Sequence, residues 1–111
     1  MEKLVIRGGK PLEGTVRVSG AKNAVLPIIV ASMLGTTESV LTEIPKLDDV
    51  HTVCEVISSL GVHISQPEEG TLVIDASQLT STAAPYDLVR RMRASFLVMG
   101  PLLARKGRAK I

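Results

Sequence analysis

The sequence has 111 residues, a length typical of one domain, and it is 45% hydrophobic and 22% charged, which predicts a packed core and excludes intrinsic disorder. Aromatic residues make up 2%, which argues against nucleic-acid binding by base stacking, and the single cysteine excludes a disulfide scaffold. The formal net charge is +2. Since no apolar run reaches the roughly 20 residues of a membrane span and no secretory signal is visible, we expect a cytoplasmic protein without membrane contact.

The alternation and spacing of apolar residues predict nine elements, and their order is β-β-α-β-α-β-β-α-β. In chain order they are strands at 4–6 and 15–18, a helix at 21–34, a strand at 39–44, a helix from Asp48 or Asp49 to Leu60, a hairpin at 62–65 and 71–75, a helix at 86–105 and a strand beginning at 108. This order predicts an α/β fold. Because the pattern stops inside an apparent strand, we expect the chain to be part of a longer protein.

Two of the predicted helices have distinctive apolar patterns. The helix at 21–34 is apolar almost all round, with Pro27 in its second turn and Gly35 just past its end, so we expect it to be buried on most sides. The helix at 86–105 has a single broad apolar stripe that includes Met92 and Phe96.

The segment Ser19–Ala24 joins a predicted strand to this apolar helix and contains Gly20, Lys22 and Asn23. A glycine turn leading into a helix N-terminus presents backbone N–H groups and a positive dipole end to an anion. The dipole disfavours a cation there, so Lys22 costs stability unless an anion comes to it. Alternatively, Ser19 caps the helix and Lys22 extends into water.

The segment Arg90-Arg91-Met92-Arg93 is the second candidate. Arg93 borders the apolar stripe, from where its guanidinium can reach a phosphate or carboxylate in a cleft. Pairing with a structural carboxylate explains the same spacing. Residues 90–111 contain seven basic residues and no acidic one, which indicates either a polyanion partner or a solvated basic face whose acidic counterparts lie elsewhere.

Other polar residues have structural interpretations. His51 and His63 lie far apart in the pattern with no third ligand, so we expect no metal site and no cofactor. Cys54 has no basic neighbour, which favours a structural thiol over a nucleophile. Asp48 and Asp49 are predicted to cap a helix, and Asp75 and Asp87 have ordinary structural explanations.

Taken together, several segments resemble the UDP-N-acetylglucosamine 1-carboxyvinyltransferase family of enolpyruvyl transferases. The resemblance extends over essentially all 111 residues, and the segments that carry it follow one another in the family's order: Leu12–Gly14, Val18–Pro27, Ile44–Val50, Ala84–Val89, Met92–Ser95 and Gly100–Leu102. The resemblance implies transfer of the enolpyruvyl group of phosphoenolpyruvate to the 3'-hydroxyl of UDP-N-acetylglucosamine, with release of phosphate, in peptidoglycan synthesis. It implies two small-molecule substrates and no nucleic-acid partner.

The resemblance also assigns residues and domains. Lys22 and Asn23 match the pair that holds phosphoenolpyruvate, and Arg93 matches an arginine that contacts the UDP-sugar. The family fold is an inside-out α/β barrel of repeated β-α-β-α-β-β units with helices in the middle. Residues 1–20 would be the first strands of the other domain and residues 21–111 the first portion of one barrel domain, with a hinge near Ser19-Gly20.

No catalytic residue is expected within these 111 residues. The family's catalytic cysteine lies in a loop a few residues past Ile111, and Cys54 does not match it. We therefore expect a polypeptide of residues 1–111 to be inactive by itself, while the parent protein is an enzyme.

Two alternatives remain open at this point. A 3-phosphoshikimate 1-carboxyvinyltransferase-like enzyme shares the fold and the phosphoenolpyruvate chemistry, although the segments at 84–89 and 92–95 favour the UDP-sugar enzyme. A non-catalytic α/β module could instead bind a polyanion through residues 90–111. Binding that falls steeply with salt would indicate such a module.

Overall fold

A computed structural model describes residues 1–111, and from residue 22 onward its elements follow the predicted order. The helices are α1 (Lys22–Ala31), α2 (Asp48–Ser59), α3 (Tyr86–Val89) and α4 (Met99–Lys106), with a 3₁₀ turn at Ser32–Leu34 and a 3₁₀ segment at Arg93–Val98. The strands are β1 (Glu38–Leu41), β2 (His63–Glu68) and β3 (Thr71–Asp75). The predicted α/β class is confirmed. None of the helices combines the length and the apolar character needed to cross a membrane.

The three strands form one antiparallel sheet in the order β1-β3-β2. The predicted hairpin is confirmed: β2 and β3 pair through a turn in which Gly70 adopts a φ of 82°, a value that glycine accepts without strain. The β2–β3 register shifts between Ser65 and Glu68. Pro67 lies in that interval and cannot donate a ladder hydrogen bond, which explains why the irregularity falls there, on an edge strand.

The core lies among α1, α2, the sheet and the segment from 92 onward. Eighteen hydrophobic residues form one buried cluster. The largest of them that are fully buried are Ile29, Met33, Ile57, Leu60, Ile74 and Leu102. Alternate residues of β3 enter this core, since Leu72 and Ile74 are buried while their neighbours are half-buried. The sheet and helices therefore share one apolar interior, as an α/β fold requires.

The strands predicted at 4–6 and 15–18 are not formed. Residues 1–20 contain no strand, and Leu4, Ile6, Val16 and Val18 are each at least 80% exposed. A strand is stable only when a neighbour pairs with its backbone N–H and C=O groups, and none of β1–β3 pairs with this segment. Its assignment to another domain stays a prediction.

Helix α1 begins where expected, but it is buried on one side only. Val25, Leu26, Ile29 and Val30 face the core, whereas Ile28 is 50% exposed. The expectation from the sequence that this helix is buried on most sides is therefore wrong for these 111 residues. A 3₁₀ turn extends the helix to Leu34, and Gly35 then adopts an extended conformation.

The helix predicted at 86–105 is broken into three pieces. Met92 is extended (φ −152°, ψ 126°) and buried, which separates α3 from the 3₁₀ segment. Pro101 lacks an N–H and is compatible with the first turn of an α-helix but not its interior, so α4 starts at Met99. The strand predicted at 108–111 is reduced to one parallel bridge between Ala83 and Lys110.

Candidate functional site

The first turn of α1 is not capped by any side chain. Its N-cap residue is Ala21 (φ −94°, ψ 133°), and no side chain accepts a hydrogen bond from the helix start. The alternative in which Ser19 caps this helix is therefore wrong. The leading N–H groups of α1 and its positive dipole end remain available to an anion.

Lys22 does not extend into water but forms an ion pair. Its Nζ lies 2.6 Å from Oδ2 of Asp49, with the two side chains 56% and 32% exposed. Asp49 occupies the first turn of α2, where the helix dipole favours a carboxylate. The expected Asp48 or Asp49 cap is wrong, because the N-cap is Leu47 and neither carboxylate accepts a capping bond. Lysine has three donors, so the pair leaves Lys22 able to hold a second anion.

Asn23 follows Lys22 on the same helix turn and is exposed. Its side chain forms no hydrogen bond within the chain. The amide can therefore donate to an anion that approaches the helix start beside Lys22.

At Gly20, just before α1, the backbone passes very close to the loop that follows β1. A Cβ at this position would lie 2.5 Å from the Glu43 carbonyl oxygen and 3.0 Å from Cδ of Pro45. Arg17, three residues earlier, forms an ion pair with the Glu43 carboxylate. The Gly20–Glu43 approach was not visible in the sequence, because it depends on a loop more than twenty residues away.

The three arginines at 90–93 have separate environments. Arg90 lies 5.9 Å from the centre of the Tyr86 ring, with its Nε 3.9 Å from Oδ1 of Asp87. Arg91 donates from Nη1 to Oε2 of Glu55 at 3.0 Å. Arg93 starts the 3₁₀ segment, is exposed, and has no ion pair or hydrogen-bond partner in the chain. Structural pairing thus accounts for Arg90 and Arg91 and not for Arg93.

The rest of the basic segment is also partly used inside the fold. Arg105 donates to the backbone carbonyls of Met33 and Ala76, which joins α4 to the 3₁₀ turn that follows α1 and to the residue that follows β3. Three of the seven basic residues beyond position 89 therefore contact other residues of this chain, namely Arg90, Arg91 and Arg105.

A cavity of about 750 Å³ lies between α2, the β2–β3 hairpin and the loop before α2, and none of Lys22, Asn23 and Arg93 lines it. Its wall includes Cys54, whose pKa burial raises to about 11. A thiol with that pKa is protonated at neutral pH, which supports the structural interpretation of Cys54.

The remaining polar candidates have structural partners. His51 Nε2 lies 3.2 Å from Oε1 of Glu55, and His63 on β2 stands opposite Asp75 on β3. No three His, Cys, Asp or Glu side chains converge as metal ligands would. Hydrogen bonds from the side chain and backbone N–H of Ser77 lower the pKa of Asp75, so this carboxylate orders the turn after β3.

Comparison with known proteins gives a consistent result. The family model of EPSP synthase (3-phosphoshikimate 1-carboxyvinyltransferase) matches residues 6–111. Over the whole chain, the sequence is 52% identical to UDP-N-acetylglucosamine 1-carboxyvinyltransferase 1 of Halalkalibacterium halodurans and 51% identical to UDP-N-acetylglucosamine 1-carboxyvinyltransferase of Hydrogenovibrio crunogenus. The chain spans 25% and 27% of the lengths of these two relatives.

The fold has a similar counterpart among solved structures. The enolpyruvyl transferase NikO from Streptomyces tendae matches with a TM-score of 0.73 and 27% identity, over 90% of this chain and 23% of that one. The resemblance and the α/β enolpyruvyl transferase fold predicted from the sequence are thereby confirmed. Because the family model covers nearly all of its residues, the chain belongs to the EPSP synthase (3-phosphoshikimate 1-carboxyvinyltransferase) family of enolpyruvyl transferases.

Proposed function

We propose that these residues carry parts of two substrate sites in an enzyme that transfers the enolpyruvyl group of phosphoenolpyruvate to the 3'-hydroxyl of UDP-N-acetylglucosamine. Phosphate is released, and the product enters peptidoglycan synthesis in the cytoplasm. The names of the relatives, at 51–52% identity over the whole chain, support this substrate pair.

The observation that carries the proposal is the uncapped start of α1, with a lysine and an asparagine in its first turn. Phosphoenolpyruvate is a compact phosphate and carboxylate anion. Backbone N–H groups, an ammonium and an amide together provide charge-assisted donors for such a ligand. In this proposal, Lys22 and Asn23 bind phosphoenolpyruvate, and the Lys22 ammonium offsets the charge that the departing phosphate carries.

Arg93 is the proposed contact to the UDP-sugar. It is the exposed arginine of the 90–93 segment without a partner in the chain, so its guanidinium can form a bidentate contact with a diphosphate. We place the catalytic cysteine of the reaction outside residues 1–111, and we propose that a polypeptide of these residues has no transferase activity by itself.

We further propose that residues 1–20 pair with strands of the other domain of the enzyme. Their alternating apolar side chains are exposed, and their backbone is not paired with β1–β3. A segment with this pattern is stable as a strand once a partner covers its apolar face.

The description of the matching family model favours a second candidate, 3-phosphoshikimate 1-carboxyvinyltransferase. The two activities differ in the acceptor alcohol, so phosphate release distinguishes them. With phosphoenolpyruvate present, the complete protein should release phosphate when UDP-N-acetylglucosamine is added and not when shikimate 3-phosphate is added. The reverse result would establish the second candidate. The isolated 111-residue polypeptide should release none with either acceptor, and turnover by it would overturn our placement of the catalytic group.

A further inference from the structure

The side chain of Glu55 links α2 to the break in the chain just before Arg93. Its Oε2 accepts a hydrogen bond from Nη1 of Arg91 at 3.0 Å, and its Oε1 lies 3.2 Å from Nε2 of His51, one turn earlier on α2. Glu55 is 37% exposed, and both of its oxygens have a partner. The hydrogen bond to Oε2 restricts the rotamers of the Glu55 side chain, so Glu55 gives Arg91 an anchor on α2.

Arg91 belongs to neither helix piece around it. It follows α3, and the extended Met92 separates it from the 3₁₀ segment that Arg93 starts. Backbone hydrogen bonds continue the turn after α3 as far as Met92, because the N–H groups of Arg91 and Met92 donate to carbonyl oxygens of α3. Two side-chain contacts then attach this turn to the rest of the fold before the chain reaches Arg93: the burial of Met92, and the ion pair between Arg91 and Glu55.

We propose that Glu55 is a positioning residue for Arg93, acting through Arg91 to hold the backbone from which Arg93 reaches the UDP-sugar. The inference rests on the proposed function, because it assigns Arg93 to that substrate. Neither Glu55 nor Arg91 contacts a substrate in this proposal. Their effect is confined to binding of the nucleotide sugar and does not extend to the phosphoenolpyruvate site at Lys22.

The test compares Glu55→Gln, Arg91→Gln and the double variant in the complete protein. Each variant should raise the KM for UDP-N-acetylglucosamine by about three- to tenfold, because a small misplacement of a binding group weakens its contact, and should leave the KM for phosphoenolpyruvate unchanged. The double variant should be no worse than either single one, since both remove the same link. Additive losses would overturn the proposal.

General electrostatics predict the opposite sign for Glu55→Gln. Both substrates are anions, so removing the negative charge of Glu55 without any positioning effect would lower both KM values slightly. Asp87→Asn is the matched control, because it removes the carboxylate next to Arg90 instead of the one that holds Arg91. It should leave both KM values near those of the unaltered protein. A rise equal to that of Glu55→Gln would overturn the proposal.

Two further measurements distinguish a failure of the positioning role of Glu55 from a failure of the proposed role of Arg93. Melting temperatures of all variants should agree closely, because an ion pair with this exposure contributes little to stability. Arg93→Gln should raise the KM for UDP-N-acetylglucosamine at least as much as Glu55→Gln. If Arg93→Gln has no effect, the proposed role of Arg93 fails. If it has a large effect while Glu55→Gln has none, the positioning role alone is wrong.

Discussion

Lys22 Nζ lies 2.6 Å from Oδ2 of Asp49, so an ion pair joins the first turns of α1 and α2. Each helix N-terminus has a positive dipole end, which stabilises the carboxylate and disfavours the ammonium. Asp49 therefore offsets the unfavourable position of Lys22 when no ligand is bound. The pair also keeps the ammonium beside the uncapped N–H groups of α1, where an anionic substrate can reach it.

Lys22→Ala should separate binding from stability. Loss of a partly exposed ion pair lowers the folding stability by about 0–1 kcal/mol, and removal of a cation from a helix start raises it by about 0.3–1 kcal/mol. The melting temperature should therefore change little. Affinity for phosphoenolpyruvate should fall by about 1.5–3 kcal/mol, as for a lost charge-assisted hydrogen bond. Calorimetric titration of the complete protein measures this change.

Lys22→Arg should restore part of that affinity, because a planar fork replaces a point charge. Affinity for UDP-N-acetylglucosamine should change much less with Lys22→Ala than with Arg93→Ala. A variant that melts markedly lower yet binds phosphoenolpyruvate normally would show that Lys22 is structural.

Asp49→Asn should destabilise the protein more than Asp48→Asn. Both substitutions remove a carboxylate from the first turn of α2, which costs about 0.3–1 kcal/mol each, but Asp49 alone pairs with Lys22. The difference in unfolding free energy should be at most about 1 kcal/mol. The difference should disappear when each substitution is made separately in the Lys22→Ala background. A difference that persists there would contradict the pairing of Asp49 with Lys22.

Gly20→Ala should disturb the entry into α1. The added Cβ would lie 2.5 Å from the Glu43 carbonyl oxygen, a backbone atom with little room to move. Overpacking of this kind typically costs about 1–3 kcal/mol, and we expect phosphoenolpyruvate affinity to fall because the first turn of α1 shifts. Gly8→Ala is the control, since no atom lies within 4 Å of its added Cβ. Equal melting temperatures and affinities for the two variants would refute this role of Gly20.

Cys54 should be unreactive in the folded protein at neutral pH. Burial raises its pKa to about 11, so the thiolate is scarce, and peptide mapping after brief alkylation at about pH 7.5 should find Cys54 unmodified. Because the folded state disfavours ionisation, the contribution of Cys54 to stability is complete below the ordinary thiol pKa and is lost as pH rises towards 11.

Cys54→Ala should therefore show a smaller loss of melting temperature than the unaltered protein between neutral pH and about pH 10. Rapid alkylation of Cys54 in the folded protein, or the same pH dependence in both proteins, would contradict the raised pKa.

The sequence by itself determined the α/β class, the hairpin around Gly70 and the cation at the start of α1. These features depend on neighbouring residues: period-two alternation predicts strands, turn residues end them, and Lys22 follows a glycine turn directly. The resemblance carried by the motif segments also predicted the family that the comparisons confirmed.

Only the tertiary structure decided which charges meet and which helix faces are buried. Asp49 reaches Lys22, and Glu55 reaches Arg91, across different elements, so no local pattern reveals either pair. The break at Met92 is also a feature of the tertiary structure: the backbone there is extended and the side chain is buried, within a local pattern that predicts one helix to Arg105. Local helix propensity is worth roughly a few tenths of a kcal/mol per residue, whereas burying a large apolar side chain is worth about 1.5–3 kcal/mol, so tertiary packing outweighs a local helical pattern where the two disagree.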